Sequence, residues 1–141
     1  MKHSLLFGTL VSRETLAAKM AEHIKIGALG ENVGSDYLKG KGFRILSRNV
    51  KVKRGEIDII VRDKNGSLVF VEVKSMNENE NIKPEDNLTT KKLSHIQKAA
   101  QFYSARHPEL IHERSGWRID LLAITFEQSL DQWNISHYEN I

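Results

Sequence analysis

Three ionisable side chains, Asp58, Glu72 and Lys74, interrupt two stretches of sequence that are otherwise rich in apolar and β-branched residues. The stretches are residues 56–62 and 67–75, and a short polar segment containing Asn-Gly separates them. This pattern predicts a β-hairpin. Side chains alternate between the two faces of a strand, so Glu72 and Lys74 are expected on the same face.

The length of the turn decides whether Asp58 joins them. A two-residue Asn-Gly turn would pair Asp58 with Val73, on the face opposite Glu72. A three-residue loop over residues 64–66, closed by Gly66 in the left-handed region that glycine tolerates, would pair Asp58 with Glu72. A shift of one residue moves every side chain to the other face. We predict the three-residue loop, because it gathers two carboxylates and one ammonium group.

Two carboxylates that face each other on adjacent strands repel. A hard divalent cation between Asp58 and Glu72 would relieve that repulsion, and Mg²⁺ prefers oxygen ligands and retains several waters. Lys74 could then orient a metal-bound water or neutralise a phosphate oxygen. The alternative interpretation is a salt bridge from Lys74 to Glu72 or Asp58 on a solvated face of the hairpin.

Composition is that of an ordinary globular domain, with 141 residues, 40% hydrophobic and 28% charged. This length supports one domain with a real core. The absence of cysteine excludes a disulfide framework and fits a reducing, cytosolic setting. The apolar stretch at residues 5–11 is too short for a membrane span and lacks a cleavage site, so we expect no signal peptide. The six histidines show no ligand spacing, and no P-loop, GxGxxG fingerprint or nucleophile elbow is present.

Charge is distributed unevenly although the net charge is only +3. Residues 39–62 contain eight lysines and arginines, whereas the charged residues from Glu127 onwards are all acidic. A basic segment beside a carboxylate cluster indicates a polyanionic ligand that meets a metal. A solvated charged face is the alternative.

The order of predicted elements indicates an α/β domain with a mixed central sheet flanked by helices, preceded by a partly helical N-terminal extension. The extension is residues 1–26 and the domain is residues 27–141. The predicted helices are residues 12–22, 27–39 and 90–107. The predicted strands are residues 43–49, the two hairpin strands, residues 117–126 and an edge strand at 133–138. A basic loop at residues 51–55 and a polar, Asn-rich loop at residues 76–90 are expected beside the hairpin.

The predicted positions of several other charged residues, at helix ends and on a strand face, indicate what they bind. Glu31 is expected in the first turn of a helix opened by glycines, where the helix dipole favours a carboxylate. Lys91 and Lys92 are expected in the first turn of the later helix, where cations are disfavoured; a phosphate bound there would explain them, and so would simple solvation. Arg118 and Asp120 share a strand face, as an ion pair or as a support of the site.

Motifs spread over most of the chain resemble the YraN-type family of small bacterial proteins, from about Ile26 to Ile141. The pair RGEID and VEVK is the most specific part of this resemblance. The full set is Gly27-x-x-Gly30-Glu31, Asn49, Arg54-Gly55-Glu56-Ile57-Asp58, Val71-Glu72-Val73-Lys74, Lys92, Ala100, Arg118-x-Asp120 and Ile135-x-His137.

The resemblance implies the restriction-endonuclease-like, PD-(D/E)xK superfamily, whose core is similar to Holliday junction resolvases. Asp58 and Glu72 would then be metal ligands, Lys74 the catalytic lysine, and Glu31 an additional acidic metal ligand from a helix. The sequence departs from the superfamily at Ile57, where proline is common, and from the family in the Asn- and Glu-rich loop at residues 76–90.

The expected function is a Mg²⁺- or Mn²⁺-dependent endonuclease that acts on DNA, with branched or damaged DNA as candidate substrates. A basic set would hold the nucleic-acid backbone, and a second set would support the metal ligands. The first set is Lys51, Lys53, Arg54, Lys91 and Lys92; the second is Glu56, Arg118 and Asp120. The alternatives are a non-catalytic nucleic-acid-binding accessory with the same fold and a purely structural interaction protein. RNA in place of DNA stays open, and a homodimer is expected by analogy with resolvases.

Overall fold

The computed structural model describes residues 13–53, 55–77, 86 and 88–141, without the side chains of residues 13–15. The main elements formed by these described residues are two helices, five strands and the single-turn 3₁₀ helices Pro108–Leu110 and Gln128–Leu130. In chain order the main elements are α1 (Arg13–Gly40), β1 (Arg44–Val52), β2 (Gly55–Arg62), β3 (Leu68–Asn77), α2 (Thr90–Arg106), β4 (Trp117–Glu127) and β5 (Gln132–Tyr138).

The strands form one mixed sheet in the order β1-β2-β3-β4-β5. Neighbouring strands are antiparallel except β3 and β4, which are parallel because the chain crosses over through α2. Leu38 of α1 packs on one face of the sheet with Val71 and Leu122. Ala100 of α2 packs on the other face with Phe70. The predicted α/β fold, a mixed central sheet flanked by helices, is confirmed.

A single long helix, α1, replaces the two helices predicted before β1. The prediction of a helix start at residues 27–30 was wrong, because the helix continues through both glycines and Gly30 serves close packing rather than termination. A Cβ on Gly30 would lie 2.6 Å from both Cβ and Oγ of Ser75 on β3. The Ser75 hydroxyl also donates to the Ile26 carbonyl oxygen at 3.5 Å. Glu31 therefore lies in the helix interior, next to the glycine that packs against β3.

The β2–β3 hairpin has the predicted three-residue loop. Arg62 pairs with Leu68, and the ladder continues to Ile59 with Val71. Beyond Arg62, the Asp63 N–H donates to the Ser67 carbonyl oxygen at 3.0 Å, which leaves residues 64–66 as the loop. The Gly66 N–H donates to the Asp63 carbonyl oxygen at 3.2 Å. Gly66 has a φ of 90°, in the left-handed region. The predicted register is confirmed.

The connection between β1 and β2 is shorter than the predicted basic loop. Strand β1 extends to Val52, which pairs with Gly55, so Lys51 is a strand residue and the turn begins at Lys53. Val50 and Val52 lie two residues apart, so their side chains share one face of the strand. Both pack against the core beneath α2, and this packing explains the longer strand.

Some predictions fall on residues outside the described ranges. These are Arg54, the part of the N-terminal extension at residues 1–12, and most of the polar loop, residues 78–85 and 87. Within the described ranges, none of the helices combines the length and the apolar character needed to cross a membrane.

Candidate active site

Three polar residues lie in a row across the three antiparallel strands. In the β1–β2 ladder, Arg48 pairs with Ile59 and Val50 with Ile57, which places Asn49 opposite Asp58. The β2–β3 register, continued by one residue beyond its last pair, places Asp58 opposite Glu72. The row Asn49–Asp58–Glu72 is the centre of the candidate site.

The carboxylate of Asp58 lies where β2 and β3 separate. Its Oδ2 accepts a hydrogen bond from the backbone N–H of Val73 at 2.8 Å. The β2–β3 ladder ends at Ile59 and Val71, two residues before Val73, so the side chain of Asp58 supplies the acceptor for this N–H. The side chain of Asp58 thus lies between the strands and is mostly shielded from solvent.

The environment of Asp58 opposes its ionisation. Burial is the largest cause and repulsion from Glu72 the next, and together they raise the pKa of Asp58 to about 7. The Val73 N–H and the ammonium of Lys74 act in the opposite direction but do not compensate. A hydrogen bond between the two carboxyl groups contributes as well. The two acids are therefore close enough to compete for one proton.

Glu72 and Lys74 share the face of β3 that α2 covers. Lys74 Nζ lies 3.2 Å from Oε1 of Glu72, and the side chains are 29% and 15% exposed, respectively. This salt bridge is the alternative interpretation of the Glu-x-Lys pattern. Both residues line a cavity of about 220 Å³ together with Glu56 of β2 and with Lys92 and His95 of α2.

Glu31 approaches the row from α1. Burial and repulsion from Asp58 raise the pKa of Glu31, while Arg48 and a hydrogen bond from Asn49 lower it. Arg48 Nη2 lies 4.0 Å from Oε2 of Glu31. With its amide nitrogen turned towards the acids, Asn49 donates to Glu31 Oε2 at 3.0 Å and to Glu56 Oε1 at 3.2 Å. The side chain of Asn49 therefore connects Glu31 of α1 with Glu56 of β2.

The predicted basic residues divide between two places. Lys92 lines the cavity beside Glu72, whereas Lys51 and Lys53 line a groove farther along α2. Lys91 is exposed at the start of α2. Thr89 caps this helix, since its Oγ1 accepts from the Lys92 N–H at 3.2 Å. Phosphate is therefore not needed to satisfy that N–H.

Arg118 and Asp120 form a network on the α1 side of the sheet. Arg118 Nε donates to Oδ1 of the fully buried Asp120 at 2.9 Å, and Nη1 donates to Asp63 in the hairpin loop. The His137 imidazole donates from Nε2 to Oδ2 of Asp120 at 2.8 Å. The Asn140 N–H donates to Oδ1 at 3.0 Å. These contacts tie β4 and β5 to the hairpin loop, and none of them involves Asp58 or Glu72.

Asp120 and His137 also form, with Glu139, the kind of carboxylate and imidazole group that binds metals, their atoms lying within 4.8 Å of one another. The guanidinium of Arg118 already supplies the positive charge here, with Nη2 at 4.0 Å from Glu139. Hydrogen bonds occupy both oxygens of Asp120. This cluster is explained by ion pairing.

Family membership follows from comparison of the sequence with known proteins. The model described as "Uncharacterised protein family UPF0102" matches residues 30–124. A UPF0102 protein of Clostridium botulinum (strain Loch Maree / Type A3) is 35% identical over 115 residues, which cover 82% of this chain and 91% of the relative. The chain belongs to the UPF0102 family.

This family is the YraN-type family that the motifs resemble, so that prediction is confirmed. A UPF0102 protein of Pseudothermotoga lettingae is 40% identical over 111 residues, which cover 79% of this chain and 92% of the relative. The stretch that matches the UPF0102 model contains the whole row Asn49–Asp58–Glu72, together with Glu31 and Lys74.

Two solved structures show partial similarity. A repair endonuclease from Pyrococcus abyssi is 15% identical with a TM-score of 0.37, and the match covers 73% of this chain but 35% of that protein. Pyrococcus furiosus SfsA, solved in complex with Ca²⁺, is 16% identical with a TM-score of 0.36, and the match covers 84% of this chain and 63% of that protein. This UPF0102 protein thus spans about a third of the first and less than two thirds of the second. TM-scores of this size are too low to transfer an activity.

Two residues of the site were not among the predicted site residues. Asn49 has a φ of 52°, an uncommon conformation for a residue other than glycine, although asparagine is among those that adopt it most readily. Asn49 belongs to the motif set, but its conformation and its bonds to two acids are visible only in the structure. His95 follows Lys92 by three residues on the same helix face, and that spacing was the available signal.

The donor atoms of this UPF0102 site suit a hard divalent cation. Asp58 is repelled by Glu72 of the neighbouring strand, and Glu31 of α1 is repelled by Asp58, and burial together with this repulsion raises the pKa values of Asp58 and Glu31. A set of oxygen ligands with excess negative charge is what Mg²⁺ and Mn²⁺ select. The residues therefore fit such an ion.

Proposed function

We propose that this protein is a divalent-metal-dependent endonuclease that cleaves phosphodiester bonds in DNA, with branched or damaged DNA as its substrate. The observation that carries the proposal is the placement of Asp58 against Glu72, with Lys74 two residues further along the same strand. Carboxylates brought together at a cost in electrostatic energy indicate a functional site rather than a structural one. Membership of the UPF0102 family is consistent with this proposal.

Asp58, Glu72 and Glu31 would hold Mg²⁺ or Mn²⁺. When bound, such an ion polarises a phosphate oxygen and lowers the pKa of a bound water. The three carboxylates would fix the position of the ion. Asn49 would orient Glu31, and also the neighbouring Glu56, by donating a hydrogen bond to each.

Lys74 has the position of a group that acts on the scissile phosphate. Its Nζ forms a salt bridge with Glu72, and the partly exposed side chain lines the cavity. With Glu72 as a metal ligand, the Lys74 ammonium would donate to a non-bridging phosphate oxygen, where negative charge develops during the reaction. Lys92 and His95, on the opposite wall of the same cavity, would donate to the adjacent phosphates.

The second candidate is a non-catalytic nucleic-acid-binding accessory. It is favoured by a specific observation, since Lys74 is paired with Glu72 and Asp58 accepts from Val73, so that each has a structural partner. In that case a divalent metal would not change the thermal stability of the protein. If the acids form a metal site, the same metal stabilises the folded state by mass action.

Cleavage of a panel of labelled DNAs tests the proposal: linear duplex, single strand, flap and four-way junction, each with Mg²⁺ or Mn²⁺. Wild type is compared with Lys74→Ala and with Lys39→Ala, which removes an exposed lysine at the end of α1. We expect metal-dependent cleavage by wild type and by Lys39→Ala, and none by Lys74→Ala. Undiminished cleavage by Lys74→Ala would exclude the mechanism, and no cleavage with retained salt-dependent binding would favour the accessory.

A homodimer is part of the proposal, since a nuclease that cuts two strands of a symmetric junction needs two sites. Sedimentation of the protein alone and with a four-way junction tests it. A monomer in both conditions would limit the proposal to single-site cleavage.

A further inference from the structure

A second cavity system lies on the α2 side of the sheet, beyond the candidate site. One cavity of about 460 Å³ and another of about 390 Å³ share the residues Val52, Lys53 and Phe102 and so form one groove between the end of β1 and α2. The larger cavity also shares Ala99 with the cavity that contains Glu72 and Lys74. The groove therefore leads to the candidate site along the surface of α2.

The walls of the groove are basic. Lys51 and Lys53 border it from β1 and the following turn, and Lys98 and Arg106 border it from α2. All four side chains belong to exposed residues. Among the described residues that line the two cavities, none is acidic. A groove with one sign of charge attracts a polyanion over its whole length.

An aromatic ring lies at the middle of this basic groove. Phe102 is 36% exposed, although it lies on a helix whose buried side is made by other residues. The guanidinium carbon of Arg106 lies 4.8 Å from the centroid of the ring. A phenyl ring that is held by an arginine and open to a basic groove offers a surface on which a planar base can stack.

We propose that this groove binds a single-stranded segment of DNA, with a base stacked on Phe102 and the phosphates on Lys51, Lys53 and Lys98. Duplex DNA presents its phosphates but keeps its bases stacked inside, so it cannot use the ring of Phe102. The cavity volumes lie within the range of about 300–1,000 Å³ that is typical of small-ligand sites, which is large enough for an unstacked nucleotide.

The proposal rests on the proposed nuclease function, whose substrate it defines more closely. A strand in the groove that continues past Ala99 would reach the carboxylates, so the preferred DNA would have a single-stranded arm. Binding in the groove can nevertheless be measured without cleavage, which keeps the two proposals separable.

The test is binding of a fluorescent single strand of about 15 nucleotides and of the matching duplex, without divalent metal. All proteins carry Lys74→Ala, so that no strand is cut. Phe102→Ala and Phe102→Leu are compared with Phe102→Trp, because leucine keeps the apolar area of the side chain without an aromatic face. We expect Ala and Leu to weaken single-strand binding about tenfold, Trp to retain it, and duplex binding to stay unchanged.

Charge is tested with Lys98→Ala, and with Lys39→Ala as the matched control outside the groove. Removal of one phosphate contact should lower the slope of log K against log salt by about 0.7 for a single strand, and the control should not change it. Equal slopes for Lys98→Ala and the control would show that the phosphates do not lie in the groove.

The outcomes separate the two proposals. Unchanged single-strand binding by Phe102→Ala, in a protein whose wild type cleaves DNA, overturns the groove and leaves the nuclease. Loss of that binding, in a protein whose wild type cleaves nothing, supports the groove and overturns the nuclease. Tighter binding of an RNA strand of the same sequence overturns the assignment to DNA.

Discussion

The backbone N–H of Val73 donates to the carboxylate of Asp58 at 2.8 Å, at the point where the pairing of β2 and β3 ends. The acceptor is a side chain where a regular sheet would supply a carbonyl oxygen. This bond fixes the Asp58 carboxylate between the strands and next to Glu72, in surroundings that favour its protonated form. The same contact therefore opens the sheet and positions the acid.

Asp58→Asn should leave the metal-free protein as stable as wild type or more so at pH 8. The amide oxygen can still accept from Val73, while the repulsion with Glu72 disappears. The variant should lose the stabilisation by Mg²⁺ or Mn²⁺, which for wild type is about 2.7 kcal/mol at a metal concentration 100 times Kd. Thermal unfolding with and without metal measures both effects.

Asp36→Asn is the control for this experiment, since Asp36 is an exposed carboxylate on α1. It should respond to metal as wild type does. A metal-induced shift of equal size in Asp58→Asn would show that Asp58 is not a metal ligand.

Asn49→Gly should weaken metal binding about tenfold, because Glu31 and Glu56 lose the amide that holds them. Stability should change little, since glycine adopts the φ of 52° without strain. Asn49→Ala should lose the same affinity and in addition about 1 kcal/mol of stability. Metal titration by calorimetry and urea unfolding measure the two quantities.

Asn140→Gly provides the matched control, because Asn140 has the same φ of 52° and its contact with Asp120 is made by the backbone. Metal affinity should be that of wild type. If Asn49→Gly also binds metal like wild type, Asn49 does not position the acids.

Gly30→Ala should destabilise the fold by about 2 kcal/mol, because a Cβ would collide with Ser75. Gly27→Ala, in the same helix but with free space around the position, should instead stabilise it by about 0.5–1 kcal/mol. Urea unfolding gives both values. Adding Ser75→Gly to Gly30→Ala should recover part of the loss; simple additivity of the two changes would argue against this contact.

Acid should unfold the protein partly through Asp120. Burial raises the pKa of Asp120, but hydrogen bonds from His137, Arg118 and the Asn140 N–H outweigh it and hold the pKa below the ordinary 3.8. The folded state thus binds fewer protons than the unfolded state, so this stability is present above pH of about 4 and is lost as the pH falls through the lowered pKa.

Asp120→Asn should cost about 3 kcal/mol at pH 7, because Arg118 is left without its buried partner. The further loss of stability as the pH falls below about 4 should be smaller than in wild type. Urea midpoints over this pH range measure it. Parallel curves for wild type and variant would show that Asp120 is not responsible.

Much of the site could be predicted because local chemistry determines it. Gly66 permits the three-residue loop that was predicted because it gathers the charged groups, and the register of this loop places Asp58 opposite Glu72. Each step depends on residues close together in sequence. The alternation of side chains along β3 then placed Lys74 beside Glu72 without further information.

The remaining features depend on contacts between distant residues. The glycines at residues 27 and 30 predict a helix start, because glycine is typical of helix boundaries. In the fold, Gly30 instead permits the close approach of Ser75, a contact that no local pattern reveals. The left-handed conformation of Asn49 and its two bonds to acids likewise need α1 and β2 in place. The groove at Phe102 was missed because an exposed aromatic residue is recognised only once the helix is packed.

The order of the strands has a consequence for folding. Strands β1, β2 and β3 are consecutive and antiparallel, so their pairing closes only short loops, whereas the parallel pairing of Leu68 with Trp117 must close the whole α2 crossover. Chains form contacts of low sequence separation faster. We therefore expect the row Asn49–Asp58–Glu72 to assemble before β4 and β5 pair with β3. Repulsion between the carboxylates of Asp58 and Glu72 should slow this early pairing of β2 with β3.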